Sequence, residues 1–292
     1  MTIVVIVVKL IEKIYPKWLS KKESETKKCI KMKTRTRIKM NANKSIQLKK
    51  TLRSVTTVAV LLAIVAFSSC NMEKGAEVSA VVSTDYTTQS KESQAAMTPQ
   101  AAVEMLKEGN ERFTSDAMIN RDLLGQVKQT STGQYPFAAV VSCIDSRIPT
   151  EIVFDQGVGD IFNARIAGNF VNTDILGSLE FAAKVAGSKT IVVMGHTECG
   201  AVKGACDHVK LGNLTPMLAN LEPAMEAVTD ITENRNSKNA EFVQKVADAN
   251  VALTIEKIKT DSEILREMAE KGELQIVGAM YDVHSGKVTW MN

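Results

Sequence analysis

The chain has 292 residues, of which 45% are hydrophobic, and a formal net charge of +3. This length suffices for one large domain or two small ones with a sizeable core. The charge is uneven, because residues 1–69 hold 16 basic and 3 acidic side chains, which leaves 20 basic and 30 acidic ones for the remainder. An acidic body of this kind has no basic footprint for nucleic acid, so no nucleic-acid partner is predicted.

The basic residues belong to an N-terminal leader with the order of an export signal. Four basic side chains at positions 44–53 precede the 13-residue apolar run Val55–Phe67, and small residues then lead to Cys70. A charged region, a short apolar region and small residues define a secretory signal, and the run is shorter than the about 20 residues that span a bilayer. We therefore predict a signal peptide over residues 40–70. Its last residue resembles the lipobox cysteine of bacterial lipoproteins, which is acylated. An uncleaved N-terminal anchor is the alternative.

Composition indicates the character of the segments on either side of this signal peptide. Residues 1–39 are interpreted as a mis-assigned start or a basic extension, with translation beginning at Met40 or Met32. Residues 71–97 are polar, rich in Ser and Thr and without periodicity, which predicts a flexible tether. We expect the body to be exported, on the periplasmic side or in the cell envelope, and held to a membrane by a lipid on Cys70.

From Thr98 onward the composition is globular, and residues 98–292 are predicted to form one α/β domain. Thr98 suits the N-cap of a helix, Pro99 suits its first position, and helical periodicity follows. Three buried strands are predicted in the stretches "PFAAVVSC", "DIFNARIAG" and "KTIVVMGH". A helix that Gly187 ends lies between the last two, and this alternation indicates a parallel sheet with flanking helices.

The C-terminal third begins with a long helical region and closes with two strands. Helical segments are predicted in "LTPMLANLEPAMEAVTD" and in the long stretch that follows it. The closing segment "LQIVGAMYDVHSGKVTW" predicts two strands about a tight turn at Ser285 and Gly286. The fold class is therefore α/β, with a central and mostly parallel sheet.

Metal-binding side chains follow two of the predicted strands. Cys143 ends the first strand, and His196 and Cys199 come at the end of the third. Because ligands gather at the carboxyl ends of parallel strands, we expect these three side chains to meet. Two thiolates and an imidazole suit Zn²⁺, and three protein ligands leave a fourth position open, as in catalytic sites. The sequence thus predicts one zinc ion per chain.

Other uses of the cysteines remain open from the sequence alone. His196, Cys199, Cys206 and His208 have a spacing that allows a closed structural zinc site. In an exported protein, two of the three cysteines of the body could instead form a disulfide. A thiol redox pair of Cys199 and Cys206 has six intervening residues, unlike the Cys-x-x-Cys motif.

Asp145 and Arg147 follow Cys143 at alternate positions. Alternation along a strand puts all three side chains on one face, which brings the carboxylate to the open coordination position. Zinc lowers the pKa of a bound water toward about 7, and a carboxylate held by Arg147 can orient the resulting hydroxide and accept its proton. We predict Asp145 and Arg147 as the catalytic pair. The alternative is a surface salt bridge at a turn.

These motifs together resemble the β-class carbonic anhydrases. The resemblance covers the chain from about Thr98 to its C-terminus. It is carried by "CIDSR" at Cys143–Arg147, "HTECG" at His196–Gly200, "KEGNERF", "GDIFNARIAGN", "ILGSLEFA" and the closing "YDVHSGKV". The resemblance implies a β-carbonic anhydrase-like catalytic domain over residues 98–292 and a dimer as the minimal unit, or a higher even oligomer.

The resemblance also implies the reaction and its residues. Zinc is held by Cys143, His196 and Cys199, and Asp145 is able to take the fourth position when it is not paired with Arg147. The expected activity is that of a lyase, the reversible hydration of carbon dioxide to bicarbonate and a proton by a zinc-bound hydroxide. Three residues are expected to line the substrate pocket: Gly168, whose lack of a side chain allows close approach, Asn169 and Gly200.

Two rival functions are compatible with the same fold and metal. Hydrolases of carbonyl sulfide or carbon disulfide resemble this family, so the substrate can differ. A non-catalytic module that binds zinc or bicarbonate is the second rival. The presence of both Asp145 and Arg147 argues against such a module, since a binding protein does not need the pair.

Overall fold

The structure is a computed structural model, and it describes residues 87–291. The predicted N-terminal segment 1–39, the signal peptide 40–70 with Cys70, and the first part of the predicted tether lie outside the described residues. Within 87–291 there is no helix with the length and apolar character needed to span a membrane.

Residues 87–291 contain one sheet of five strands in the order β2-β1-β3-β4-β5. The strands are β1 (Ala138–Ser142), β2 (Ile161–Arg165), β3 (Thr190–His196), β4 (Gln275–Tyr281) and β5 (Val288–Met291). The pairs β1–β2, β1–β3 and β3–β4 are parallel, and β4–β5 is antiparallel. The predicted parallel sheet and its closing antiparallel pair are therefore confirmed.

Helices connect the strands and cover the sheet. Before β2 they are α1 (Lys91–Ala96), α2 (Pro99–Thr114), α3 (Leu123–Thr130) and the single turn α4 (Thr150–Val153). Before β3 comes α5 (Thr173–Glu180), which continues as a π-helix over Phe181–Val185. Before β4 come α6 (Gly200–Cys206), α7 (Leu214–Leu218), a 3-10 turn (Ala219–Leu221), α8 (Glu222–Ala227), α9 (Ala240–Asp261) and α10 (Glu263–Glu270).

The two central strands are buried along their whole length, as continuous apolar runs predict. Successive side chains point to opposite faces, so Val140 and Val192 enter one core while Val141 and Val193 enter the other. The sheet is therefore the middle of three layers, with apolar helix faces packed on both sides.

The strand order determines where a binding site forms. From β1 the chain continues to β2 on one side and then crosses to β3 on the other. A crevice opens at such a reversal, outside the carboxyl ends of the two strands that flank it. The segments after Ser142 and from His196 onward, which hold the predicted ligands, lie at this crevice.

The predicted tether ends earlier than residue 97, which corrects that boundary. Ser90 forms a capping box with Ser93 and starts α1, and Gln94 on this helix is buried. The Gln94 Nε2 donates to the carbonyl oxygens of Pro136 and Ala186, both at 2.8 Å. These partners lie 42 and 92 residues along the chain, so composition near residue 94 contains no sign of them.

Helix α2 begins as predicted, with the Thr98 side chain accepting from Ala101 N and Pro99 at the first position. Its "KEGNERF" segment attaches it to the sheet. A Cβ on Gly109 would lie 1.8 Å from the Phe154 carbonyl oxygen, so only glycine permits this approach. The buried Asn110 donates to two carbonyl oxygens and accepts from Val288 N at 2.8 Å. The motif is thus a docking element of the fold.

Candidate metal centre

Three buried donor side chains meet at the crevice between β1 and β3. The sulfur atoms of Cys143 and Cys199 and a ring nitrogen of His196 all lie within 4.8 Å of one another. The two sulfur atoms are 4.0 Å apart. Thiolates bound to one tetrahedral zinc at about 2.3 Å lie about 3.8 Å from each other, so the spacing fits this ion.

The imidazole of His196 is oriented for coordination. Its Nδ1–H donates a hydrogen bond to the carbonyl oxygen of Thr197 at 2.9 Å, which leaves the Nε2 lone pair free. That Nε2 is buried and has no hydrogen-bond partner among the described residues. A buried polar atom without a partner is costly in an apolar core, whereas coordination of a metal ion satisfies it.

The electrostatics of the two sulfur atoms also call for a cation. A hydrogen bond from the Cys199 thiol holds the pKa of Cys143 well below its usual range, at about 4. The same contact, together with burial, raises the pKa of Cys199. Two thiolates this close are mutually repulsive unless a positive ion lies between them. The pair is therefore suited to Zn²⁺, which both sulfur atoms bind as thiolates.

Asp145 and Arg147 form an ion pair beside this group. The Asp145 carboxylate accepts from Arg147 Nε at 2.9 Å, from Nη2 at 2.7 Å and from the backbone N at 2.9 Å. Hydrogen bonds from Arg147 hold the pKa of Asp145 at about 2, so the carboxylate is ionised at neutral pH. Its Oδ2 lies 4.0 Å from His196 Nε2, which places it at the margin of the ligand group.

The local geometry of this pair differs from the prediction. β1 ends at Ser142, so Cys143, Asp145 and Arg147 do not alternate along a strand. A turn at residues 146–147 brings Arg147 back onto the Asp145 carboxylate instead. Of the four predicted metal ligands, the structure brings three together, and Asp145 is paired with Arg147.

Gly168 supports the cluster from the loop after β2. Its backbone N donates to Cys143 Sγ at 3.4 Å, and its carbonyl oxygen accepts from Asn250 Nδ2 at 2.8 Å. Gly168 has φ +86, and a Cβ there would lie 3.0 Å from a Leu221 methyl carbon. Glycine is required for both the left-handed backbone and the close packing.

Comparison with known proteins agrees with this site. A family model described as carbonic anhydrase matches residues 138–288, just over half of the chain. The crystal structure of the β-carbonic anhydrase CafA of Aspergillus fumigatus is 27% identical, with a TM-score of 0.51, and the match covers 66% of this chain and 90% of that one. This chain belongs to the β-class carbonic anhydrase family.

Bacterial relatives match over most of their length. Carbonic anhydrase 2 of Mycobacterium tuberculosis is 34% identical over 192 residues, which cover 65% of this chain and 91% of that protein. The carbonic anhydrase of Mycolicibacterium smegmatis is 32% identical over 191 residues, covering 65% and 92%. As a β-class carbonic anhydrase the protein uses zinc, and Cys143, His196 and Cys199 are the residues that can hold it.

The alternative uses of the cysteines are not supported by the structure. Cys143, Cys199 and Cys206 are free thiols. Cys206 is packed in the core, and burial raises its pKa to about 11, which keeps the thiol protonated. His208 is exposed. Among residues 87–291 the only group of metal donors is that of Cys143, His196 and Cys199, so the closed structural site does not form.

The two remaining predicted pocket residues have different environments in this carbonic anhydrase. Asn169 is buried with φ +44, and its Nδ2 has no hydrogen-bond partner among the described residues. Gly200 is exposed at the start of α6, and a Cβ there would meet nothing within 4 Å. Gly200 therefore leaves open space beside Cys199, whereas Asn169 offers a donor next to Gly168.

The sequence did not indicate the residues that hold the loops carrying Cys143 and His196 in place. Asn250 lies in the middle of α9 and is buried. An amide on the apolar face of a helix is unusual, and this feature of the sequence could have indicated a structural role. Thr197 donates to Asp282 Oδ1 at 3.1 Å and accepts from Val283 N, which ties the histidine loop to the closing turn. Arg165 contacts the backbone of the Cys143 loop; it lies in the stretch "GDIFNARIAGN" that carries the resemblance, but nothing in that stretch indicated its partner.

Proposed function

We propose that this protein catalyses the reversible hydration of carbon dioxide to bicarbonate and a proton, with one zinc ion held by Cys143, His196 and Cys199. The observation that carries the proposal is the pairing of a buried Cys₂His group with an ionised carboxylate at its edge. When bound, zinc supplies a Lewis acid that lowers the pKa of water to about 7 and so makes a nucleophile available near neutral pH.

The side chains around the group have separable tasks. Asp145 is ionised at neutral pH, because its pKa is about 2, so it can accept a hydrogen bond from the attacking water and orient it. Arg147 holds both carboxylate oxygens and so keeps Asp145 from becoming a fourth ligand. His196 is fixed in its ring orientation by the Thr197 carbonyl oxygen. These contacts favour an open coordination position, as catalytic zinc sites have.

Metal analysis with a hydration assay tests the proposal. The purified full chain should contain about one zinc per chain and hydrate carbon dioxide, whereas Cys143→Ser should lose the metal and the activity. Cys206→Ser is the matched control, since it removes a buried thiol that the cluster does not include, and it should keep both. Zinc-loaded protein that hydrates no carbon dioxide but hydrolyses carbonyl sulfide or carbon disulfide would assign the site to the rival reaction.

We also propose that the protein is exported and anchored by a lipid at Cys70. Support comes from the sequence order of basic residues, a short apolar run and small residues that end in this cysteine. Mass spectrometry of the mature N-terminus should find an acylated Cys70 and no upstream residues. An unmodified chain that retains its leader would refute the proposal.

A homodimer is proposed as the smallest assembly. The resemblance implies it, and the edge strand β2 supports it, because the exposed Phe181 ring lies 6.2 Å from the ring of Phe162 on that strand. Light scattering should give at least twice the mass of one chain. Phe181→Asp should weaken the assembly, and Leu211→Asp, which changes another exposed apolar side chain in the segment between α6 and α7, should not. A monomeric and fully active wild type would contradict this proposal.

A further inference from the structure

The loop that carries the catalytic pair begins where the sheet stops supporting the chain. Ser142 is the last residue of β1 paired on both sides, with Arg165 of β2 and Met194 of β3. Ile166 N donates to the Ser142 carbonyl oxygen at 3.0 Å. Cys143 to Asp145 have no regular secondary structure. Their backbone needs other partners if the carboxylate is to stay in place.

The side chain of Arg165 provides those partners. Its Nε donates to the Cys143 carbonyl oxygen at 2.9 Å, and its Nη2 donates to the Asp145 carbonyl oxygen at 2.5 Å. One planar guanidinium thus binds the carbonyl groups of a metal-ligand residue and of the catalytic carboxylate residue. Arg165 is the last residue of β2 in the parallel ladder, where it pairs with Ser142. Its side chain therefore holds the backbone just beyond the point where the ladder hydrogen bonds end.

We propose that Arg165 is a positioning residue for the hydration reaction, which acts by fixing the backbone between Cys143 and Asp145. This inference rests on the proposed function. The guanidinium does not touch the Asp145 carboxylate, which Arg147 holds. Arg165 determines where the backbone that bears this carboxylate lies relative to Cys143, and Arg147 determines its rotation.

Other contacts of the loop are weaker or lie further along. The Asp145 carbonyl oxygen also accepts from Ile148 N, at 3.2 Å, within the same turn. Tyr281 Oη contacts the Arg147 carbonyl oxygen at 3.4 Å from the opposite side. Neither of these reaches Cys143. Arg165 alone among the described residues joins the backbone of the ligand to that of the carboxylate through one rigid group, and charge-assisted hydrogen bonds are the stronger kind.

Removal of the guanidinium should lower the rate without emptying the metal site. In Arg165→Ala we expect zinc content close to that of the wild type, because the three ligands are intact. The kcat per bound zinc should fall roughly 10- to 100-fold, since a misplacement of about 1 Å can cost 10²-fold. KM should change little. Zinc release to a chelator should become faster, because the Cys143 carbonyl group has lost its donor.

Two further measurements distinguish positioning from a purely structural role. Guanidinium at millimolar concentration should restore part of kcat in Arg165→Ala, since the site of the lost side chain is exposed. Arg165→Lys should have an intermediate rate, because one ammonium cannot serve both carbonyl groups in the geometry of the fork. The cobalt-substituted Arg165→Ala protein should also show an altered visible spectrum if the backbone of Cys143 moves.

The matched control is Arg266→Ala, which removes a surface guanidinium of α10 whose ion pairs are 3.7 and 3.8 Å long. It should leave kcat, zinc release and the cobalt spectrum unchanged. A kcat per zinc in Arg165→Ala equal to that of the wild type would overturn the inference, whatever happens to thermal stability. So would full activity of Arg165→Lys, or a loss that neither guanidinium nor lysine lessens. An inactive, zinc-loaded wild type would instead refute the proposed function.

Discussion

Two aspartate–arginine clusters lie ten residues apart in the chain and serve different ends. Asp145 pairs with Arg147, two residues away, and their side chains are 17% and 48% exposed. Asp155 is fully buried and binds Arg112 and Arg121, which are 43 and 34 residues away. The first cluster borders the metal group, and the second joins α2 and the following loop to the turn after α4.

The difference between the clusters lies in solvent and in chain separation. Around Asp145, water screens the pair, so breaking it costs little folding free energy and leaves the carboxylate able to take part in chemistry. Asp155 has both oxygens occupied by distant donors, including Ile119 N at 3.2 Å, and its side chain is fully buried. Removal of one partner of a buried ion pair is costly, because the remaining charge stays buried. We therefore expect activity to depend on the first cluster and stability on the second.

Substitution of the Asp145 pair should have the largest effect on rate. In Asp145→Asn the acceptor is lost, and kcat should fall by roughly 10²–10⁴-fold, the scale for an acid–base partner. In Arg147→Ala the freed carboxylate, already 4.0 Å from His196 Nε2, can turn toward the metal, so activity should collapse as well. Zinc content and melting temperature should stay close to those of the wild type in both. Stopped-flow hydration, metal analysis and calorimetry check this.

Anion binding distinguishes the two variants. Asp145→Asn should still bind azide at the open coordination position, whereas Arg147→Ala should bind it more weakly, because the carboxylate competes. Full activity of Arg147→Ala would reduce the pair to an ordinary surface salt bridge and remove the contrast between the clusters.

Substitution of the buried aspartate should act on stability instead. Asp155→Asn removes the buried negative charge that Arg112 and Arg121 bind, and we expect a loss of about 3–5 kcal/mol in the free energy of unfolding. For a domain of this size, that corresponds to roughly 6–20 °C in melting temperature. The kcat of the folded, zinc-loaded fraction should stay close to that of the wild type. Urea unfolding with activity per bound zinc tests both parts, and Arg266→Ala is the control.

The thiol beside the first cluster should differ in reactivity from the core thiol of Cys206 once the metal is removed. After zinc is chelated, Cys143, with a pKa of about 4, should be a thiolate at pH 7, whereas Cys206, with a pKa of about 11, should be protonated. Cys143 should then react with iodoacetamide faster than Cys206, by roughly tenfold or more, since the thiolate is the nucleophile. Peptide mass spectrometry measures the order. Faster labelling of Cys206 would show that the core around it opens more readily than the site.

The smallest effect is expected at α1. Gln94→Ala removes the donor from the Ala186 carbonyl oxygen, whereas the Pro136 carbonyl oxygen keeps Ser188 Oγ at 2.9 Å. One buried acceptor without a partner costs about 1–3 kcal/mol. Thermal unfolding should show this loss with activity unchanged. Gln100→Ala, at an exposed position of α2, should show no loss. Equal stability of the two variants would show that the Gln94 contacts do not hold α1 in place, as the predicted tether over residues 71–97 requires.

The sequence by itself determined the features that arise from local pattern. Thr98 and Pro99 mark a helix start because capping and the fixed φ of proline act within one turn. The strands are recognisable because both faces of a parallel sheet require apolar side chains. The meeting of Cys143 with His196 and Cys199 follows from the rule that carboxyl ends of parallel strands share one edge. Arg147 reaches Asp145 from two residues away, within the span that a motif describes.

Tertiary structure alone decided the contacts that join distant segments. Four of these contacts have partners 22 to 178 residues away along the chain: those of Gln94, of Asn110, of the arginines on Asp155, and of Arg165 with the Cys143 loop. The exclusion of Cys206 from the metal group depends on core packing. The sequence gives the chemical type of such a side chain, but a local pattern does not indicate which distant residue it contacts. The partner is set by strand register and helix packing, which come from the whole core. The position of the catalytic carboxylate, on the inference above, therefore depends on an arginine outside the "CIDSR" motif.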